Sequence, residues 1–416
     1  MKKIDLVIVT WHQTYLSSYA GGYVRLQHFL KRIPKKIEYV ILDNHKTIYG
    51  DVVKKDRIIE YQSPNWINSL QKKVFILWFL LETISSTIIL YNNSVSLIKK
   101  NKVKVLYFPT GEFLQLYIVS FLLKRRFPHV NVVLDILNYG ILDANYKTYF
   151  GRLKKSGIGF IRAVVITITI WFSHTLMKHT ITHADYIFTV SREFQNKIKK
   201  DYKKESINFT PSGVEMPKNR SINKKPKYLG LYIGRMTLEK GIYDVITTWE
   251  KVIIKVPTAK LALGGYADDV TKAAISKEIK DKKLDNNVVF LEDVTEKKKN
   301  ELFYSSEIFI HLAHKEPLFP VITILEGWSY GLPTIFYDMS VYTSAEKEFH
   351  FSKDCLYPIK GQDTANASKA IVEYSKLRKS KKEKMQESAR KNAELFNWDT
   401  IATKEWDIIT SLIQKS

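Results

Sequence analysis

Apolar runs alternate along this chain with segments of helical spacing, a pattern that predicts buried strands joined by helical crossovers. In the second half, Tyr228 to Gly234 is a short apolar run, Ile242 to Val256 has helical spacing, and Lys260 to Gly265 is apolar again. Val288 to Leu291, Glu307 to Leu312 and Thr334 to Tyr337 repeat the theme with helical segments between them. Strands that are continuously apolar rather than alternating belong to parallel sheets covered on both faces. The first half has the same rhythm at longer intervals, with strands at Ile4 to Thr10, Glu38 to Leu42, Val103 to Phe108, Val130 to Ile136 and Tyr186 to Val190. The expected fold is therefore α/β, with two Rossmann-like doubly wound domains. Their join falls in TPSGVEMPKNRSINKKPK, Thr210 to Lys227, which is rich in Pro, Ser, Asn and Lys and has no periodicity. The division this implies is 1–215 and 216–396, with 397–416 closing the chain. In that last piece Trp398 to Gln414 forms a helix that packs back toward the first domain.

Two stretches of the first half are unusually apolar. Val74 to Tyr91 (VFILWFLLETISSTIILY) has only Glu82 as a charged residue, Gly157 to Phe172 (GIGFIRAVVITITIWF) has only Arg162, and lysines flank both. Each is near the length of a transmembrane helix, but the internal charge and the need to cover a sheet argue against spanning. Two readings remain: helices seated in the membrane interface, with Trp78 and Trp171 at headgroup depth, or helices that only cover the sheet.

Charge adds a direction to this picture. Residues 1–220 hold 34 Lys+Arg against 15 Asp+Glu, and residues 221–416 hold 31 against 27, so the basicity is N-terminal. A basic half suits an anionic partner such as a membrane surface or a phosphorylated acceptor, or is simply a solvated face. No nucleic-acid-binding module accompanies it, so nucleic acid is not an expected partner. The single cysteine, Cys355, makes no internal disulfide and points to a reducing compartment. The opening run after Lys2 and Lys3 is short, interrupted by Asp5 and followed by no small-residue cleavage site, which reads as a first strand rather than a secretion signal.

The candidate chemistry lies in the second half. GRMTLEKG, Gly234 to Gly241, follows a predicted strand and opens a predicted helix, where doubly wound domains bind anions. Arg235 and Lys240 add two fixed cations there, suited to a diphosphate. EPLFPVITILEGWSYGLPTI, from Glu316, supplies two carboxylates, Glu316 and Glu326, and a helix start at Val321 and Ile322 whose amides face a phosphate.

With these elements in order, the chain resembles retaining glycosyltransferases of family 4, which have the GT-B fold of two such domains facing across a cleft. The resemblance extends to Gly21-Gly22 in YAGGYVRLQHFL, to ADYIFTVS (Ala184 to Ser191), to PSGVE (Pro211 to Glu215) and to FNW ending at Trp398. It implies that Arg235 and Lys240 bind the donor diphosphate, that Glu326 binds the donor ribose, and that Gly21 and Gly22 let backbone approach the diphosphate. Gly265, closing a strand, is grouped with these donor-binding residues. Two departures stand out. Nine residues separate Glu316 from Glu326 where the family has seven, and family spacing lands on Leu318; a two-residue insertion still brings Glu316 to the sugar. In VVLDILNYG, Val132 to Gly140, Leu137 stands where many relatives have a histidine, which leaves Asp135 and Asn138 as candidates to touch donor or acceptor.

Other spellings carry less. His311 and His314 lack the companions of a metal site, and Asp268-Asp269 reads as a helix N-terminal pair. GWSYG fits GxSxG around Ser329, but it ends a predicted helix instead of turning a strand into one. No P-loop occurs. The expectation is a metal-independent, cofactor-free hexosyltransferase, peripheral at the cytoplasmic face of a membrane. It would move a sugar from a nucleotide diphosphate donor to a glycan or lipid-linked acceptor. A non-catalytic sugar-nucleotide-binding subunit and a nucleotide-sugar epimerase are the competing readings.

Overall fold

The computed structural model describes residues 3–11, 21–45, 49, 52–70, 74–109, 113–137, 150–151, 159–217, 226–292, 294–316 and 319–415. The chain divides into two compact units, Met1–Pro211 with Asp399–Ser416, and Ser212–Trp398.

In chain order the first unit contains β1 (Leu6–Val9), α1 (Gly21–Leu30), β2 (Tyr39–Asp43), β3 (Ile58–Glu60), α2 (Asn65–Ser69), α3 (Phe75–Lys100) and β4 (Val105–Phe108). It continues with α4 (Leu114–Arg126), β5 (Asn131–Ile136), α5 (Phe160–His183), β6 (Tyr186–Thr189), α6 (Arg192–Tyr202) and β7 (Ile207–Phe209). The strands form one parallel sheet in the order β3-β2-β1-β4-β5-β6-β7. One face carries Leu6, Ile8, Val105, Tyr107 and Val133, packed under Leu26, Phe29 and Leu30 of α1 and under Trp406 and Ile409 of the closing helix Trp398–Lys415. Trp406 stacks on Phe29 at 4.3 Å and donates its indole N–H to the Phe29 carbonyl at 3.0 Å. The chain end is thereby built into the first sheet.

A buried ion cluster sits in the same layer. The Arg25 guanidinium bonds Asp135 of β5 at 3.1 Å, Glu405 of the closing helix, and the Pro211 carbonyl at 2.9 Å. All three side chains are almost wholly buried. Were both carboxylates ionised, the one cation between them would leave a net negative charge in a low-dielectric site. Burial, reinforced by Asp135, accordingly pushes the Glu405 carboxyl up to about 8 against the pull of Arg25.

Right-handed crossovers place the helices that follow β3, β4 and β5 on the opposite face, where α4 packs between α3 and α5. The apolar stretches are helical from Phe75 and from Phe160 onward, and the helices run on to Lys100 and His183. Their outer faces are open. Leu77, Leu80, Ile84 and Ile88 form an exposed stripe on α3, and Phe160, Ile161, Ile168, Trp171 and Phe172 are exposed on α5. Helix α5 is long and apolar enough to cross a membrane, and only 12% of its most apolar window is buried. The expectation for Trp78 is corrected: it is 3% exposed and points inward, because it falls on the sheet-facing stripe of α3. Glu82, the one charge in that run, is also turned inward, with the Trp11 indole 3.4 Å away.

The second unit contains β8 (Tyr228–Arg235), α7 (Ile242–Lys255), β9 (Leu261–Tyr266), α8 (Asp269–Asp281), β10 (Val288–Glu292), α9 (Glu296–Tyr304) and β11 (Ser306–His311). After these come α10 (Ile322–Ser329), β12 (Thr334–Tyr337), α11 (Ser340–Phe349), β13 (Leu356–Ile359), α12 (Thr364–Ser375) and α13 (Lys379–Glu394); the closing helix, which from Asp399 on belongs to the first unit, is α14. Its sheet is parallel in the order β10-β9-β8-β11-β12-β13. Trp249 of α7 is fully buried on β8 and fills the space at Gly230, where a Cβ would lie 2.7 Å from the indole. Val214 bridges Asn397, and the Trp398 ring lies against Gly213, so the stretch expected to be a linker begins as part of this unit.

Three strands were not apparent from the pattern: β3, β7 and β13. All are edge strands of three or four residues with one or two positions open to solvent, so the continuous apolar run that marks a central strand is missing.

Candidate active site

In the second sheet, connections run from β8 outward through β9 and β10, and from β11 outward the other way through β12 and β13. The order therefore reverses between β8 and β11, and the crevice beyond the carboxyl ends at such a point is where doubly wound domains hold ligands. The GRMTLEKG loop leaves β8 at this place. Its last glycine, Gly241, has φ +70° and sits so close to the end of β11 that a Cβ would lie 1.8 Å from the Leu312 carbonyl. The His314 amide donates to the Glu239 carbonyl at 2.9 Å, stitching the loop after β11 to the loop after β8. Gly265, at the end of β9, is equally constrained: with φ +148°, a Cβ there would meet the Gly234 carbonyl at 1.8 Å.

These contacts bring two predicted residues together and add His311 to them. Lys240 forms an ion pair with Glu316, and the same carboxylate oxygen lies 3.1 Å from the His311 Nε2. Burial works to raise the Glu316 carboxyl, but His311 and Lys240 outweigh it and hold the group below its usual value, so Glu316 is ionised. Arg235, at the end of β8, is exposed and makes no salt bridge among the described residues. The buried Glu316 anion is thus paired with Lys240, while Arg235 stands exposed at the end of β8.

Helix α10 begins after this loop. Val321, extended at φ −77° and ψ 159°, precedes Ile322 without a side-chain cap, the state in which first-turn amides are open to an anion. Glu326 lies one turn further on, and Lys299 of α9 bonds it at 2.6 Å. Burial pushes the Glu326 carboxyl up more than Lys299 draws it down.

The remaining candidates are placed by their own elements. Gly21 and Gly22 open α1 in the first unit. Asp135, considered for contact with donor or acceptor, is 1% exposed and bonded to Arg25, which gives it a structural task instead. Asn138 and Leu318 lie outside the described residues. Ser329 is buried at the end of α10 and donates to the Glu326 carbonyl at 2.8 Å, an arrangement foreign to a nucleophile. Asp268 caps α8, accepting from the Thr271 amide at 2.7 Å. His314 lies 2.9 Å from Asp244 of α7, which also accepts from the Tyr337 hydroxyl at 2.7 Å. The roles of His311 and Lys299 are not legible in the sequence, since neither belongs to a local pattern that points to its carboxylate partner.

Two Rossmann-like units with an anion-ready switch point are the architecture of GT-B glycosyltransferases, and solved structures of that class match the chain over its whole length. HepE of Anabaena in complex with UDP and glucose has a TM-score of 0.67 at 12% identity, covering 98% of this chain and 100% of that one. A glycosyltransferase from Rickettsia africae matches with a TM-score of 0.65 at 15% identity, and sucrose-phosphate synthase from Thermosynechococcus elongatus with 0.67 at 14%, each covering 100% of both chains. At the level of sequence, residues 215–392 match the family Glycosyl transferases group 1, so the second unit carries a domain of that group. A poly(glycerol-phosphate) alpha-glucosyltransferase of Bacillus subtilis (strain 168) is 32% identical over 136 residues, which span 32% of this chain and 19% of the relative.

Proposed function

We propose that this chain is a retaining, family-4-like hexosyltransferase that moves a sugar from a nucleotide diphosphate donor to a glycan acceptor carried on a lipid, at the cytoplasmic face of a membrane. The observation that carries the reading is the meeting of Arg235, Lys240, Glu316 and the open start of α10 at the β8/β11 switch point of a group 1 domain.

In this reading the arriving diphosphate draws Lys240 away from Glu316, and Arg235 and the α10 amides complete the cradle. As the bond from sugar to diphosphate lengthens, the negative charge gathering on the leaving group meets fixed cations and dipoles that need no reorganisation. Glu316, released from Lys240 but still bonded to His311, accepts hydroxyl hydrogens of the transferred sugar. Glu326 does the same for the ribose. Retention fits the alpha-glucosyl product in the name of the Bacillus relative, because common hexose nucleotides are themselves α-linked. A donor screen with UDP-glucose, UDP-N-acetylglucosamine and GDP-mannose, using membrane extracts as acceptor, tests the whole. Nucleotide release and an α-linked product by NMR are expected. A β-linked product overturns retention; binding without release favours the non-catalytic subunit, and an altered free sugar nucleotide favours the epimerase.

The membrane part rests on the first unit. Between residues 61 and 183 there are 15 Lys+Arg and 4 Asp+Glu, and the two carboxylates of this stretch that are described, Glu82 and Asp135, are buried. The α3 and α5 face is therefore apolar with exposed cations such as Arg162 and Lys178, as an anionic interface requires. Sedimentation with phosphatidylcholine vesicles, with and without phosphatidylglycerol, should show binding to the anionic vesicles. The pair Ile168→Glu and Trp171→Glu should weaken binding by about ten-fold or more. Unchanged binding, or lipid-free dimerisation through this face, removes the membrane reading.

A further inference from the structure

The resemblance sets Glu326 on the donor ribose, yet a mostly buried carboxylate needs a counter-charge to remain an acceptor. Lys299 supplies one from another helix. Its Nζ lies 2.6 Å from Glu326 Oε1 and 2.9 Å from Glu296 Oε2, and the Lys299 and Glu326 side chains are 16% and 18% exposed. Charge-assisted bonds of this length fix both position and ionisation.

We propose that Lys299 is a positioning residue of the donor site, holding the Glu326 carboxylate by one oxygen so that the other meets the hydroxyls of a nucleoside diphosphate's ribose. This rests on the reading of Glu326 as the ribose-binding residue. The groups facing Glu326 are Lys299 and Glu296 from α9 and Tyr330 beyond the end of its own helix, and Lys299 is the cation among them. Burial and Glu296 push Glu326 toward the protonated form, and Lys299 opposes them. Lys299 itself, despite burial, is held above its ordinary value by Glu326 and Glu296, so it stays charged. Without Lys299, Glu326 takes up a proton more readily, and a carboxylic acid that no longer has a fixed orientation is a poorer partner for a diol.

Calorimetric titration of the full chain with UDP, GDP and ADP identifies the nucleoside diphosphate that binds best, and its 2′-deoxy and 3′-deoxy forms follow. Lys299→Met should weaken the ribonucleotide about ten-fold near neutral pH and erase the preference for ribose over deoxyribose. Affinity should recover as pH rises and Glu326 ionises, and Lys299→Arg should remain near wild type. Retained preference in Lys299→Met overturns the proposal, as does an equal loss for ribo and deoxy forms, which marks a merely structural role. Glu326→Gln separates the two levels. If it erases the preference while Lys299→Met does not, only the positioning role falls; if Glu326→Gln keeps the preference, the ribose reading falls with it. Binding of none of the three nucleotides overturns the donor site.

Discussion

Arg235→Ala and Lys240→Ala should each lower turnover by about two to three orders of magnitude, the scale at which removal of one preorganised charge-stabilising donor is felt. The two variants differ in what they leave behind. Arg235 is exposed and makes no salt bridge among the described residues, so its loss removes charge from the leaving diphosphate and little else. Lys240 is paired with Glu316, so its loss leaves that buried carboxylate with His311 alone. The melting temperature should stay near wild type for Arg235→Ala and fall for Lys240→Ala, which takes one partner from a buried carboxylate. Near-normal turnover in either variant would refute the assignment of the donor site.

The second large effect concerns stability. Arg25→Met would strand Asp135 and Glu405 in the interior of the first unit, and breaking a buried pair by removing one partner costs about 3–5 kcal/mol. Urea unfolding of the first unit should register that loss. The cluster also makes a pH prediction whose sign follows from Glu405. Its folded value, about 8, lies above the ordinary 4.5, so the folded chain holds a proton that the unfolded chain releases. Stability therefore falls as pH rises from about 4.5 to about 8, by at most about 1.4 kcal/mol per pH unit from this group, and levels off above. Glu405→Gln, which keeps a neutral side chain at every pH, should flatten that part of the curve. Parallel wild-type and variant curves would show that Glu405 does not titrate in this window.

Both predictions concern groups that a reader of the chain meets far apart. Arg25 and Glu405 are separated by 380 residues, and no local pattern couples them. The closing helix was legible as a helix from its apolar spacing, but its acidic residue looks like any solvated one until α14 is laid beside α1. Glu82 and Trp78 show the same limit within one helix. Periodicity located the apolar run, yet which stripe faced the sheet depended on how α3 seats against α4.

The sequence by itself determined the central strands, the parallel α/β class and the basic strand-to-helix loop that carries Arg235 and Lys240. These are local properties: a run of apolar residues buries itself on both faces wherever it lies, and a basic loop between strand and helix meets the helix's open amides. Only the tertiary structure decided that Lys240 rests on Glu316, that Lys299 holds Glu326, that Asp135 serves Arg25, and that the edge strands β3, β7 and β13 exist at all. Each of those depends on segments distant in the chain being pressed together by sheet order and helix packing, and the energy of a buried charge is set by neighbours that a linear pattern does not record.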